Sequence, residues 1–524
     1  MVESRPSVSR STIRWAGLIA GPVLAALTYL ILPGTFNGIQ GESIVFTQAG
    51  RVTAALAVWM ATWWMTEAIP VYATALLPLA VLPFAGAASV KQAAAPYGHE
   101  LIFLFMGGFI IALSMQRWGL HRRFAFSVLR LFGSRPTRVV AGFMVVTAAL
   151  SMWVSNTATT IMMLPIGLSV IRLLRKNRGT VESDVVSEGA AGCGAAGGRD
   201  GDLSCDNFAI CLLLGIAYAA SIGGIGTLIG TPPNLFLASY VRDNLGGEIS
   251  FVRWMGVGLP LVLVFLPIVW LLLTRVIFRI SEGEERGCSP PAVYTHEDLG
   301  RMNPGEKVTL VVFALTALCW SFRPLLMKAA FAGFRPFAGL TDTGIAITAA
   351  LLLFVIPVNF RKHRFVMNWR TAVNLPWGLL ILFGGGLSLA GAIKANGVGE
   401  FIASQVGSFA GFNPIVLVVT VITMLIFLTE LTSNTATTVT LVPIFAALAQ
   451  GMKMHPYFLI VPAAIAASCA FMLPVATPPN AIVFGTGHVP ITKMSRAGLW
   501  LNIVGIGLIT ALTYAIAMPV LGAR

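Results

Sequence analysis

Charge is what this chain has least of. Lys, Arg, Asp and Glu make up 11% of its 524 residues, less than half the share of about 25% in an ordinary soluble domain. That shortage excludes a soluble globular protein. With 56% hydrophobic residues and a mean hydropathy of +0.82, the apolar runs are too long and too many for one buried core. Cysteine is sparse as well. Cys193, Cys205, Cys211, Cys288, Cys319 and Cys469 form no CxxC pair and no Cys/His cluster, which excludes a disulfide framework and a zinc-type site. Neither HExxH nor GxSxG occurs, so no enzyme activity is expected. The net charge of +14 comes with no RNA- or DNA-binding module. Nucleic acid is therefore not the expected partner, and the basic excess reads as cytoplasmic loop residues that orient a membrane protein.

What is present is a succession of apolar segments near 15–33, 52–66, 69–86, 97–120, 139–174, 208–240, 255–280, 306–322, 341–358, 375–395, 413–449, 457–487 and 496–521. The first follows Arg5, Arg10 and Arg14 and runs Trp15–Pro33. It is long for a signal peptide and lacks a clear small-residue cleavage site, so it is expected to be an uncleaved span.

Two polar phrases recur inside these runs. SNTATTIMMLPI spans Ser155–Ile166 and SNTATTVTLVPI spans Ser433–Ile444, 278 positions later. Gly107-Gly108 and Gly385-Gly386 keep the same spacing, as do Pro165 and Pro443. TPPN occurs at Thr231–Asn234 and at Thr477–Asn480, 246 positions apart. The shorter spacing is accounted for by a Gly- and Ala-rich polar stretch, Asn177–Asp206, that only the first half carries. It reads as a solvated, disordered insert. The chain is thus two related halves with the order GG, SNT, TPPN.

A polar triplet at mid-membrane leaves backbone groups without helical partners, and lipid cannot satisfy them. Both SNT segments are therefore predicted to be hairpins that enter and leave on one side. Consecutive prolines end a helix, so both TPPN segments are predicted to be broken helices. Arg117, Arg122, Arg123, Arg130, Arg135, Arg138, Arg172, Arg175, Lys176 and Arg178 flank the first hairpin, whereas Lys453 alone flanks the second. Positive residues mark the cytoplasm. The first hairpin is expected to open inward, the second outward, with the N-terminus inside and the C-terminus outside.

Inverted repeats with broken helices are the layout of secondary transporters, whose site lies near the midplane where the halves meet. SNT offers two hydroxyls and an amide, and TPPN offers another of each. Half-helix N-termini favour anions and C-termini favour cations, and an Asn amide can serve both. No Lys or Arg lies close to either motif. An anion there would be poorly compensated, which points to a bound sodium beside an anionic substrate.

Other residues are less telling. Glu67 and Glu430 lie at or near membrane depth, where a carboxylate is a functional candidate, yet each could equally accept from neighbouring helix N–H groups. His99, His121, His363 and His488 read as interfacial anchors, and the tryptophans as interfacial belts. Gly384–Gly386 lies in an apolar helix and is no nucleotide loop.

WWMTEAIPVYATALLPLAVLP (Trp63–Pro83), LIFLFMGGFIIALSMQRWGLHRR (Leu101–Arg123), the two SNT motifs, GTPPN (Gly230–Asn234), PWGLLILFGGGLSLA (Pro376–Ala390) and ATPPN (Ala476–Asn480) closely resemble the divalent anion/sodium symporter family. The resemblance covers nearly the whole chain except the N-terminal segment and Asn177–Asp206. It implies an all-α integral membrane protein of about 11 transmembrane helices plus two re-entrant hairpins in two inverted repeats. It also implies a homodimer with a scaffold domain and a transport domain that moves as an elevator in the inner (plasma) membrane. The layout it implies has a cytoplasmic N-terminus (1–14), N-terminal scaffold helices (15–96) and a first repeat (97–280). That repeat holds hairpin 136–176, cytoplasmic loop 177–206 and broken helix 208–241. A cytoplasmic loop (281–305) leads to the second repeat with scaffold helices (306–521), holding hairpin 412–450 and broken helix 456–488.

By the same resemblance, the substrate would touch Ser155, Asn156, Thr157, Ser433, Asn434 and Thr435, with Pro233 and Pro479 of the TPPN motifs. One sodium would lie near Ser151, Ser155, Asn156, Thr227 and Gly230. A second would lie near Thr429, Thr432, Asn434 and Ala476. The implied activity is sodium-coupled uptake of a dianion, with C4-dicarboxylates such as succinate, malate or fumarate first. A sodium-independent dicarboxylate exchanger and a sulfate or citrate symporter are the alternatives. A channel is disfavoured, because closed hairpins leave no continuous polar face.

Overall fold

The computed structural model describes residues 8–37, 42–133, 135–176, 200–280, 301–329, 335–359, 361, 363–406 and 413–522. Residues 1–7 of the expected N-terminal segment, 177–199 of the expected insert and 281–300 of the expected cytoplasmic loop lie outside the described residues. Among the described residues, seven helices are long and apolar enough to cross a membrane, from Thr12–Ile31 to Ile491–Leu521, and five apolar helices are shorter. Two antiparallel ribbons, Thr35–Asn37 with Ser43–Val45 and Pro357–Asn359 with Arg364–Phe365, depart from a purely helical expectation. Strands of two or three residues are too short for an alternating pattern to announce them. The apolar run at 69–86 is likewise divided, into Val71–Thr74 and Leu77–Phe84, with Pro70 and Pro78 at the two helix starts.

The duplicated phrases become duplicated elements. One hairpin is Pro136–Ser151 followed by Asn156–Lys176. The other is Pro414–Thr429 followed by Asn434–Gly451. Each first arm begins at a proline, which fits a helix start because its missing N–H would be unpaired there anyway. Each second arm begins at the Asn of SNT, and the preceding serine accepts from the first turn: Ser155 Oγ from Ala158 N at 3.3 Å and Ser433 Oγ from Ala436 N at 3.5 Å. The SNT serines thus act as caps that start the return arms.

The TPPN motifs restart broken helices. Asp200–Ile225 gives way to Pro232–Leu245, and Tyr457–Ala467 gives way to Pro478–Phe484. Thr231 and Thr477 sit in extended backbone before the restarts, with φ of −143° and −140°. The halves exchange partners. Pro232–Leu245 packs against Asn434–Gly451, and Pro478–Phe484 packs against Asn156–Lys176. Residues 206–225 are enclosed by protein, whereas the N-terminal helix is mostly uncovered, so polar backbone breaks occur where protein rather than lipid surrounds them.

The equivalent helices Glu100–Trp118 and Trp377–Ala395 run in opposite directions. His99, just before the first, meets Asp243 at 2.9 Å. Lys394, at the end of the second, donates to the backbone oxygen of the same Asp243 at 3.2 Å. At the other end, Trp118 Nε1 donates to Val366 O, in the segment that leads into Trp377–Ala395. A residue pattern repeated in one direction along the chain is therefore laid down in two opposed directions in space.

Candidate functional site

In the first half, three separate segments converge on one amide. One end of the Asn156 amide lies 2.7 Å from Ser151 Oγ, 3.1 Å from Ala220 O and 3.3 Å from Gly230 O. Ser151 Oγ also donates to Ala220 O at 2.7 Å. This contact requires the helix to be bare at Gly224, where an added Cβ would stand 2.5 Å from the Asn156 amide oxygen. Thr227 Oγ1 donates to Met152 O, binding the break to the hairpin tip, and accepts from Gly230 N at 3.1 Å. Ser151, Asn156, Thr227 and Gly230 are thereby brought together, with Ser155 beside them in sequence and turned toward its capping bond.

The second half repeats this construction. Thr429 Oγ1 lies 2.6 Å from Asn434 Oδ1 and donates to Ala467 O at 3.0 Å. Thr432 behaves differently. Its hydroxyl bonds Leu428 O at 2.9 Å and the Thr437 hydroxyl at 2.7 Å, both within the hairpin. Ala476 N donates to Leu473 O at 3.2 Å, so it shares the break with the carbonyls there. Thr157, Ser433 and Asn434 are half-buried and Thr435 is buried, while Pro233 and Pro479 are buried in the first turns of the restarted helices. No hydrogen bond between described residues joins one SNT tip to the other, and none brings a Lys or Arg to either tip.

The residues that hold the breaks open are the asparagines of TPPN. Asn234 Nδ2 donates to Gly224 O at 3.1 Å, Ile225 O at 3.3 Å and Thr227 O at 2.8 Å. Asn480 Nδ2 donates to Ala470 O at 3.2 Å and Leu473 O at 3.1 Å. Carbonyls freed by ending a helix need donors when buried, and one amide in each half supplies them. Sequence reasoning singled out the motif but not this work, because the spacing of a motif does not tell which way its amide faces.

The two carboxylates that the sequence left open have different fates. Glu67 sits in left-handed backbone, φ 48°, at the end of Gln48–Thr66, and pairs with Arg14 at 3.1 Å in a half-exposed bridge. Glu430 is buried and serves as an acceptor. Its Oε1 takes Phe471 N at 2.7 Å, Met472 N at 2.9 Å and Asn502 Nδ2 at 2.9 Å, and its Oε2 takes Met472 N at 3.0 Å and Leu473 N at 3.1 Å.

A cavity of about 410 Å³ opens beside the first break and reaches Leu228. Three ion pairs line its rim: Arg242 of Pro232–Leu245 with Glu100, Arg323 with Glu248 of the loop that follows that helix at 2.8 Å, and Arg323 with Asp342 at 3.3 Å. The Arg323 guanidinium holds the Glu248 carboxyl below the usual carboxylate range.

Whether these residues suit a small hard cation is a question of unsatisfied oxygens. Asn234 Oδ1 and Asn480 Oδ1 are buried and accept no hydrogen bond. The Asn156 amide end faces three oxygen atoms. Such a set is satisfied by an amide that turns its NH₂ inward or by a cation among the oxygens, and hard cations take oxygen ligands. The donor set of both halves, made of hydroxyls, amides and carbonyls with no Cys or His, fits sodium.

Paired hairpins that trade contacts with paired broken helices define a membrane transporter fold. The chain matches the sequence profile of the sodium:sulfate symporter transmembrane region across residues 27–522. It is 41% identical over 508 residues to the sodium-dependent dicarboxylate transporter SdcS of Staphylococcus saprophyticus, which covers 97% of this chain and 92% of that protein. It is 41% identical over 513 residues to SdcS of Staphylococcus aureus, with coverage of 98% and 93%. The crystal structure of the YdaH transporter of Alcanivorax borkumensis resembles it in fold, with a TM-score of 0.56 at 14% identity over 96% of this chain and 98% of that one. The chain belongs to the sodium:sulfate symporter family.

Proposed function

We propose that this protein is a secondary active transporter that carries a divalent anion, a C4-dicarboxylate first, inward together with sodium. The observation that carries the reading is the duplicated constellation: Ser151 with Asn156 and Ala220 O, and Thr429 with Asn434 and Ala467 O. Dicarboxylate is preferred to sulfate because the 41% identical relatives bear the name of dicarboxylate transporters.

The substrate would lie between Ser155, Asn156 and Thr157 on one side and Ser433, Asn434 and Thr435 on the other, against the first turns that hold Pro233 and Pro479. Each carboxylate end would meet a half-helix N-terminus with its free N–H groups and its SNT hydroxyls. Sodium would be held by Ser151, Ser155, Asn156, Thr227 and Gly230 in the first half, and by Thr429, Thr432, Asn434 and Ala476 in the second. When bound, it supplies the positive charge that the substrate needs and that no Lys or Arg provides. The protein's own part is to present oxygens from the breaks, to orient the two amides and to keep lipid away from them. Alternating access would follow if the hairpins and broken helices moved as one body against the remaining helices, as an elevator in a homodimer. About eleven spans would then place the N-terminus inside and the C-terminus outside.

Succinate uptake into proteoliposomes, with an inward sodium gradient and with choline replacing sodium, tests the proposal. Sodium-dependent accumulation supports symport. Uptake that needs internal dicarboxylate and ignores sodium would instead make the protein an exchanger on the same site. Sulfate uptake in preference to succinate would overturn the substrate choice.

A further inference from the structure

The two halves match in their oxygens but not in their charge. Asn234 and Asn480, 246 positions apart, each donate to two or three break carbonyls and each leave a buried Oδ1 unpartnered. Ser151 and Thr429, 278 positions apart, each bond the following Asn and a helix carbonyl. The position after Thr429 is Glu430, and its counterpart 278 positions earlier is Met152. Met152 offers the first break a backbone oxygen, to Thr227, and an apolar side chain against Gly226, but no charge. Glu430 offers the second break a carboxylate that gathers three consecutive N–H groups, of Phe471, Met472 and Leu473, and the Asn502 amide.

That carboxylate is 3% exposed. Among the described residues no Lys, Arg or His lies within ion-pair distance of it. Hydrogen bonds from neutral groups stabilise a buried charge but do not neutralise it. The loop it grips is the one whose Leu473 carbonyl Asn480 also holds, and its chain neighbour Thr429 carries the bond to Asn434. Both of its oxygens meet only N–H donors, the pattern of an ionised, acceptor-only carboxylate, so a negative charge stands beside one set of oxygens and not beside the other.

On the sodium reading above, we infer that Glu430 makes the two cation sites unequal: its fixed charge makes the second-half site the tighter one, occupied first, and the Met152 half the weaker one. Glu430 is a positioning residue. All of its contacts are to N–H donors, so it acts on a cation through its field and through the loop 471–473. A unit charge several ångströms away at an effective dielectric near 20 changes cation affinity by about tenfold or more.

The test is a sodium titration of the purified full-length chain without substrate, read as thermal stabilisation against equal choline, beside sodium activation of uptake. The wild type is expected to show two phases separated by about tenfold or more. Glu430→Gln should move the tighter phase up by at least about tenfold. Asn502→Ala, which removes one bond and leaves the charge, should move it less than about threefold. Equal shifts in the two variants, or an unmoved Glu430→Gln titration, would overturn the inference in favour of a plain clamp. Should Glu430→Gln fail to fold, Thr429→Ala and Ser151→Ala decide: the first is expected to remove the tighter phase and the second the weaker, and the reverse assignment overturns the inference. A wild type that sodium neither stabilises nor activates would instead defeat the symport reading itself.

Discussion

Asn234 and Asn480 do the same work in opposite halves of the molecule. Each follows two prolines, each is fully buried, and each spans ten and seven residues back along the chain to bond carbonyls on the far side of a helix break. The breaks are thus built structures with a designated donor, which is the condition for keeping irregular backbone inside a membrane.

Loss of that donor should cost more than a surface amide would. Asn234→Leu leaves the carbonyls of Gly224 and Thr227 buried without their partner, and each such group costs about 1–3 kcal/mol. The expected result is a clear drop in melting temperature and loss of sodium-dependent stabilisation. Asn244→Leu, which removes a single bond to Tyr240 O nearby, should be close to neutral.

Asn156→Ala and Asn434→Ala are each expected to abolish sodium-driven succinate uptake, while the purified protein still elutes as a folded particle. Each removes an amide that joins a hairpin tip to its partner hydroxyl. Wild-type uptake in both variants would sink the assignment of the SNT motifs to the substrate.

Two glycines of one helix should respond in opposite ways. An added Cβ at Gly385 would lie 2.1 Å from Ala75 O, whereas at Gly391 it meets nothing within 4 Å. Backbone cannot yield as a flexible side chain does, so Gly385→Ala is expected to destabilise by about 1–3 kcal/mol. Gly391→Ala should be neutral or stabilising by up to about 1 kcal/mol, through the ordinary preference of helices for Ala. Thermal unfolding of the two variants side by side checks the contrast.

At the cavity rim, Arg323 bridges one exposed and one buried acid. Glu248 is 62% exposed at its side chain and Asp342 only 10%. Glu248→Ala should therefore cost less than about 1 kcal/mol. Arg323→Ala leaves Asp342 as a buried charge without its cation and should cost about 3 kcal/mol. Because the Glu248 pKa is lowered by Arg323 in the folded state, its small contribution is full above the ordinary Glu range and fades as pH falls through the lowered value. The difference in melting temperature between wild type and Glu248→Ala should accordingly narrow on acidification.

Much of this protein was decided along the chain. Scarcity of charge required a membrane, paired prolines required broken helices, and a twelve-residue phrase repeated after 278 positions required two related halves. Those features are legible because they act locally: a proline ends a helix whatever surrounds it, and lipid forbids a charged face whatever the fold. The partners of the motif groups were decided elsewhere. No spacing says that the Asn156 amide reaches Ala220 and Gly230, that Asn234 and Asn480 turn their nitrogens toward the break and leave their oxygens unpaired, or that Glu430 faces Phe471–Leu473 while Glu67 pairs with Arg14. Each of those contacts joins segments brought together only when the helices pack, because a hydrogen bond depends on direction and distance in space, and a sequence specifies neither until the tertiary fold sets them.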